Sequence, residues 1–94
     1  MKRIEILVRD GTKFILRSIY LNPDYVVSVR EEELLTRDLQ CEQMSKKFPL
    51  GLNKSHVLSE VVYSEGNRPV KIIAIGSPEM IQSKISKKQG ILRG

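Results

Sequence analysis

Tryptophan is absent from this sequence, and only two Phe and three Tyr supply aromatic surface. The core must therefore be built from Ile, Val and Leu, of which the β-branched members favour strands. Cys41 is the sole cysteine, so no internal disulfide can form, and a reducing compartment, the cytoplasm, is the expected setting. His56 is the sole histidine. It has no Cys or His neighbour at a zinc-ligand spacing, and nothing flanking Cys41 or His56 resembles a nucleophile–base pair. No apolar run approaches the roughly 20 residues of a membrane span. Glu5, Arg9 and Asp10 interrupt any signal-peptide reading of the basic start Met1-Lys2-Arg3. Gly51, Gly66 and Gly76 form neither a phosphate loop nor a dinucleotide fingerprint. The expectation is a chain with no catalytic residues, no metal, no cofactor and no membrane association.

What is present is enough for one domain spanning residues 1–94, with a modest core. Residues 1–65 carry ten Lys/Arg and ten Asp/Glu, so the whole net charge of +5 resides in residues 66–94, where six cations face Glu79 alone.

Ile4, Ile6 and Val8 alternate with Arg3, Glu5 and Arg9, the period of a half-buried strand. Asp10-Gly11 then signals a tight hairpin turn, and a second strand is predicted from Lys13 to Ile19. Asn22-Pro23-Asp24 reads as a turn, followed by a third strand from Tyr25 to Glu31. Glu31-Glu32-Glu33 reads as a solvated strand end that discourages pairing with a neighbour. Residues 34–56 form a variable insertion, either a loop or a short helix. In the helical reading Leu34, Leu35 and Leu39 share one face, and Thr36, Arg37, Asp38, Gln40, Glu42 and Gln43 are its wet side. A fourth strand is predicted from Val57 to Tyr63 and, after a turn at Glu65-Gly66-Asn67, a fifth from Val70 to Ile75. The fifth is nearly all apolar, which points to cover on both faces. Gly76-Ser77-Pro78-Glu79 is a helix start: a hydroxyl cap, a proline at the first position and a carboxylate at the positive end of the dipole. Met80, Ile81 and Ile85 are the predicted buried stripe. Gly90 is the predicted helix end, and residues 89–94 are read as a flexible tail.

The fold class is thus α+β: a small, mainly antiparallel sheet of about five strands in the order β-β-β-variable segment-β-β-α, closed by one C-terminal helix. Three segments carry a family resemblance: Asp10-Gly11-Thr12-Lys13-Phe14-Ile15-Leu16, Leu21-Asn22-Pro23-Asp24-Tyr25-Val26-Val27-Ser28-Val29 and Gly76-Ser77-Pro78-Glu79-Met80-Ile81. Together they are similar to the small flagellar and swarming motility proteins of the FlbD type, and to small bacteriophage proteins of the same layout. The resemblance implies a small α+β accessory protein and assigns no catalytic residue. That family has no counterpart to residues 34–56.

Two functional expectations follow. The first is a small non-enzymatic accessory or regulatory protein, bacterial or from a bacteriophage, that binds another protein. Its contacts would be Leu34, Leu35, Leu39, Phe48, Leu50 and Leu52 of the insertion, together with an exposed strand edge. Strands four and five are apolar on both faces, so the surplus surface must meet the insertion, a second layer or another chain. A homo-oligomer is one such outcome. The alternative is a nucleic-acid-binding regulator using Arg68, Lys71, Lys84, Lys87, Lys88 and Arg93. No aromatic residue is interleaved with these cations, and lysines in a last helical turn also complement the helix dipole.

Overall fold

The structure, a computed structural model, describes residues 1–52 and 55–93, with residues 86–93 as backbone only. Two hairpins frame the chain. β1 (Lys2–Asp10) and β2 (Lys13–Leu21) pair in continuous antiparallel register from Lys2↔Leu21 to Asp10↔Lys13. β4 (Leu58–Glu65) and β5 (Arg68–Ile75) pair in the same way, from Leu58↔Ile75 to Glu65↔Arg68. Each turn has two central residues and places glycine first, Gly11 at φ 67° and Gly66 at φ 65°. Positive φ at the first position matches the twist of the flanking strands, and glycine adopts it without steric cost.

Between the hairpins lie β3 (Val26–Glu31) and α1 (Glu33–Gln40), and α2 (Pro78–Arg93) ends the described chain. The strands form one antiparallel sheet in the order β2-β1-β5-β4-β3. This is the expected fold class, a five-stranded antiparallel sheet with a C-terminal helix.

The strand order has a geometric consequence. β2 and β3 are the two edges of the sheet, yet only residues 22–25 join them. Across a flat five-stranded sheet the edges would stand about 19 Å apart. The link could reach that far only if almost fully extended, and Pro23–Tyr25 is wound into a 3-10 turn, held by Tyr25 N–H donating to Asn22 O at 3.0 Å. The sheet must therefore curl, bringing its edges toward each other.

Alternation along the strands divides the apolar residues between two faces. Ile4, Ile6, Leu21, Val61 and Ala74 meet Ile81 and Ile85 of α2 on one face. Leu7, Phe14 and Leu58 meet Leu39 of α1 and Phe48 on the other, with Leu35, Leu52, Ile73 and Ile75 packed around them. The fifth strand is covered on both sides, as its composition predicts. The insertion supplies the second cover.

The helix starts are built locally. Ser77 Oγ accepts from Met80 N–H at 3.2 Å, the predicted cap of α2. Ser59, fully buried, donates from its hydroxyl to Gly76 O at 2.7 Å, while Gly76 N–H donates to Val57 O at 2.7 Å. These two bonds lock the helix start against β4. Gly76 sits at φ 131°, a conformation that a side chain disfavours. Glu32, expected to be a solvated strand end, instead caps α1 by accepting from Leu35 N–H at 3.3 Å. The backbone of α2 runs through Gly90 to Arg93, past the expected helix end at Gly90. A glycine costs a helix only about 1 kcal/mol relative to alanine, which does not by itself stop it.

Three phasing expectations are corrected. Leu34 is 62% exposed, whereas Leu35 and Leu39 face the sheet. Successive helical residues lie about 100° apart, so Leu34 falls on the far side of Leu35 from Leu39. Thr36, assigned to the wet side, is buried: its hydroxyl accepts from Leu58 N–H at 3.0 Å, a polar tie between α1 and the start of β4. Met80 is 53% exposed, because Ile81 and Ile85, four residues apart, fill the stripe without it.

Two stability predictions follow. Thr36→Val preserves shape but leaves the Leu58 N–H without its acceptor, and should cost about 1–3 kcal/mol in denaturant unfolding. Leu39→Ala should cost about 2–5 kcal/mol, whereas Leu50→Ala, at a fully exposed position, should stay within about 0.5 kcal/mol of the parent.

Candidate functional site

The insertion residues expected to form a docking surface divide between interior and exterior. Leu39 and Phe48 are buried in the second core, and Leu35 and Leu52 pack partly buried against it. Only Leu34 and Leu50 face solvent. Leu39 and Phe48 thus serve this chain's own sheet, as the cover of that face among the described residues. The stack of Phe48 on Phe14, with centroids 5.3 Å apart and planes within 8°, holds the end of the insertion down. Arg9 lies 5.1 Å from the Phe14 centroid, and the Lys47 ammonium 5.8 Å from that of Phe48. Lys47 also binds Asp38 at 3.1 Å.

The cations of the last third do not converge where they are described. Lys71 lies 3.8 Å from Glu60, which also takes the Arg30 guanidinium at 3.1 Å. Lys71 shares its hollow with Glu31, Glu32 and Glu33. Arg68 sits at the tip of the second hairpin, opposite Glu65. Lys84 is on α2 and lines a separate hollow with Glu5, His56 and Ser77. The side chains of Lys87, Lys88 and Arg93 lie outside those described. Two of the three described cations therefore share a hollow with carboxylates.

Cys41 is exposed at the C-terminal cap of α1. His56 is half-buried just ahead of β4 and lines the hollow shared with Lys84. No described helix is long and apolar enough to cross a membrane.

Two features of the folded chain were not visible in any single segment. The first is the outer edge of β2. Nine residues long, it pairs only with β1 among the described residues. It carries no proline, and Leu16, Ser18 and Tyr20, successive alternate residues on one face, are all exposed. The opposite edge, β3, has six residues and a register shift between Val26 and Ser28 that leaves Val27 outside the pairing. Short, bulged edges resist strand addition, and long regular ones invite it.

The second is a hollow of about 320 Å³ at the end of β2, where the curl brings the link between the edges toward the second hairpin. Tyr20 of β2, Tyr25 of the 3-10 turn and Tyr63 of β4 all line it, with Asn22, Ser64 and Glu65. These are the three tyrosines of the chain. They lie up to 43 positions apart, and no local pattern announces their meeting.

Comparison with protein-family models, with curated proteins and with solved structures finds no match to this chain.

Proposed function

We propose that this chain is a small non-enzymatic accessory or regulatory protein, of the bacterial or bacteriophage kind its turn and cap motifs resemble, that binds another protein by accepting a strand on the outer edge of β2. The observation that carries this reading is the asymmetry of the two sheet edges. β3 is short and bulged, whereas β2 offers nine regular residues with no second strand among those described. In strand addition the backbone groups of that edge supply affinity, and side chains on alternate positions supply selectivity. Leu16 and Tyr20 provide apolar contact on one face of the added strand, with Ser18 between them.

Protein is favoured over nucleic acid by the charge layout. Phosphate binding draws on cations that line one surface. Here Lys71 is engaged by Glu60, and Lys84 lines a hollow on a different element. No Phe or Tyr lines the hollow of either lysine.

Lysine on an edge strand discourages pairing. In affinity capture from native host extract, the parent chain should retain a protein that Leu16→Lys combined with Ser18→Lys retains about tenfold less well. Both positions are exposed, so circular dichroism should be unchanged. Equal retention by parent and variant, or bound material that is nucleic acid released by moderate salt, would contradict this reading.

A further inference from the structure

The tyrosine-lined hollow carries a more specific inference. Asn22 Oδ1 accepts from Asp24 N–H at 3.0 Å and the Ser64 hydroxyl donates to Gly66 O at 3.3 Å, but among the described residues no tyrosine hydroxyl of the hollow makes a hydrogen bond. Glu65 forms no ion pair with any described cation, the α-ammonium included. The cation–ring contacts among the described residues all fall on Phe14 and Phe48, none on a tyrosine. Tyr20 is 67% and Tyr25 58% exposed, so their ring surfaces are open to an incoming group.

Aromatic faces are negative and attract cations, and a carboxylate beside them adds charge of the same sense. Met1, which carries the α-ammonium, lines the hollow, but no described Lys or Arg side chain does, so a phosphate or carboxylate ligand would meet no side-chain counter-charge. The volume, about 320 Å³, is at the floor of ligand cavities and suits one side chain. Between the two cationic side chains, the guanidinium is the better match. It is planar and weakly hydrated, stacks on aromatic rings, and presents a fork of donors to a carboxylate, whereas an ammonium is a compact, strongly hydrated charge.

Position supplies the source. Tyr20 and Leu21 are the last residues of β2, so the hollow continues the edge proposed to accept a strand. We propose that the hollow receives the guanidinium of an arginine carried by the partner strand, stacked on Tyr20 and Tyr25 and paired with Glu65. This rests on the strand-addition reading for the origin of the arginine, but the hollow's affinity for a guanidinium is separately measurable.

The absence of tryptophan makes the test direct, because tyrosine emission from this chain reports only residues lining the hollow. The probes are acetyl-arginine-amide, its citrulline counterpart, which has the same shape without the charge, and acetyl-lysine-amide. The expected result is a saturable change in tyrosine emission with the arginine probe, about tenfold weaker with citrulline and with Glu65→Gln, and intermediate with lysine. Leu16→Lys alone, four residues and so roughly 13 Å along the strand from Tyr20, beyond the Debye length at physiological salt, should leave this titration unchanged. Tyr25→Leu, at an exposed position, should weaken it while circular dichroism stays the same. Citrulline binding as well as arginine, an undiminished response in Glu65→Gln, or no saturable change would overturn the inference. If the arginine probe binds but the lysine-edge variant still captures the partner fully, strand addition fails and the guanidinium site stands. If capture is lost but no probe binds, the site fails and strand addition stands.

Discussion

The short link between the two edges of the sheet is the constraint on which the rest of the structure depends. Because β2 and β3 are edge strands joined by only residues 22–25, the sheet cannot lie flat. Curling gives it a face narrow enough for one helix, α2, to cover, with Ile81 and Ile85 as the wedge. It also brings the end of β2 toward the tip of the second hairpin, which is why three tyrosines distant in sequence line one hollow. Among the described residues, the outer side of each edge strand has no partner strand.

The opposite face would be a liability without the insertion. Leu7, Phe14, Leu58, Ile73 and Ile75 would present a contiguous apolar surface, of the kind that drives association. Residues 33–52 cover it, and two contacts anchor the cover at its ends. Near its start the Thr36 hydroxyl satisfies the Leu58 N–H; near its finish Phe48 stacks on Phe14. Burying Leu39 and Phe48 contributes roughly 1.5–3 kcal/mol each. The Arg30–Glu60 and Arg3–Glu5 pairs involve arginines more than 60% exposed, and such pairs contribute about 0–1 kcal/mol. Apolar cover and its buried polar tie hold this layer, together with the half-buried Lys47–Asp38 pair inside it.

The parts of this fold that were legible in the sequence are those set by local chemistry. Asp10-Gly11 and Gly66-Asn67 specify turns because only glycine takes their backbone cheaply, and Ser77-Pro78-Glu79 specifies a helix start because each residue suits its position. The strand from Val70 to Ile75 announced cover on both faces through its unbroken apolar run. Less was legible where two assignments competed. Leu34, Leu35 and Leu39 look like one stripe until the phase is set by which side meets the sheet, and Thr36 looks solvent-facing until a strand N–H needs an acceptor. Glu32 caps a helix although glutamate is not a preferred cap residue. The surfaces of the proposed function were least legible. An open edge is a property of strand order, and the meeting of Tyr20, Tyr25 and Tyr63 is a property of the curl. Neither leaves a periodic trace. Conversely, the cations of residues 66–94 are close in sequence, but Lys71 and Lys84 fall on different elements when the chain folds.

The central claim is that curling brings the two edges near each other without pairing them, leaving β2 open along its outer side. Amide hydrogen exchange of the free protein, resolved residue by residue across Lys13–Leu21, tests it most directly. The account predicts a period of two: amides that donate to β1 are protected, and the alternate, outward amides exchange at rates close to those of an unstructured chain. Uniform protection along β2 would mean that its outer edge is already occupied, by β3 or by a second copy, and would contradict the account.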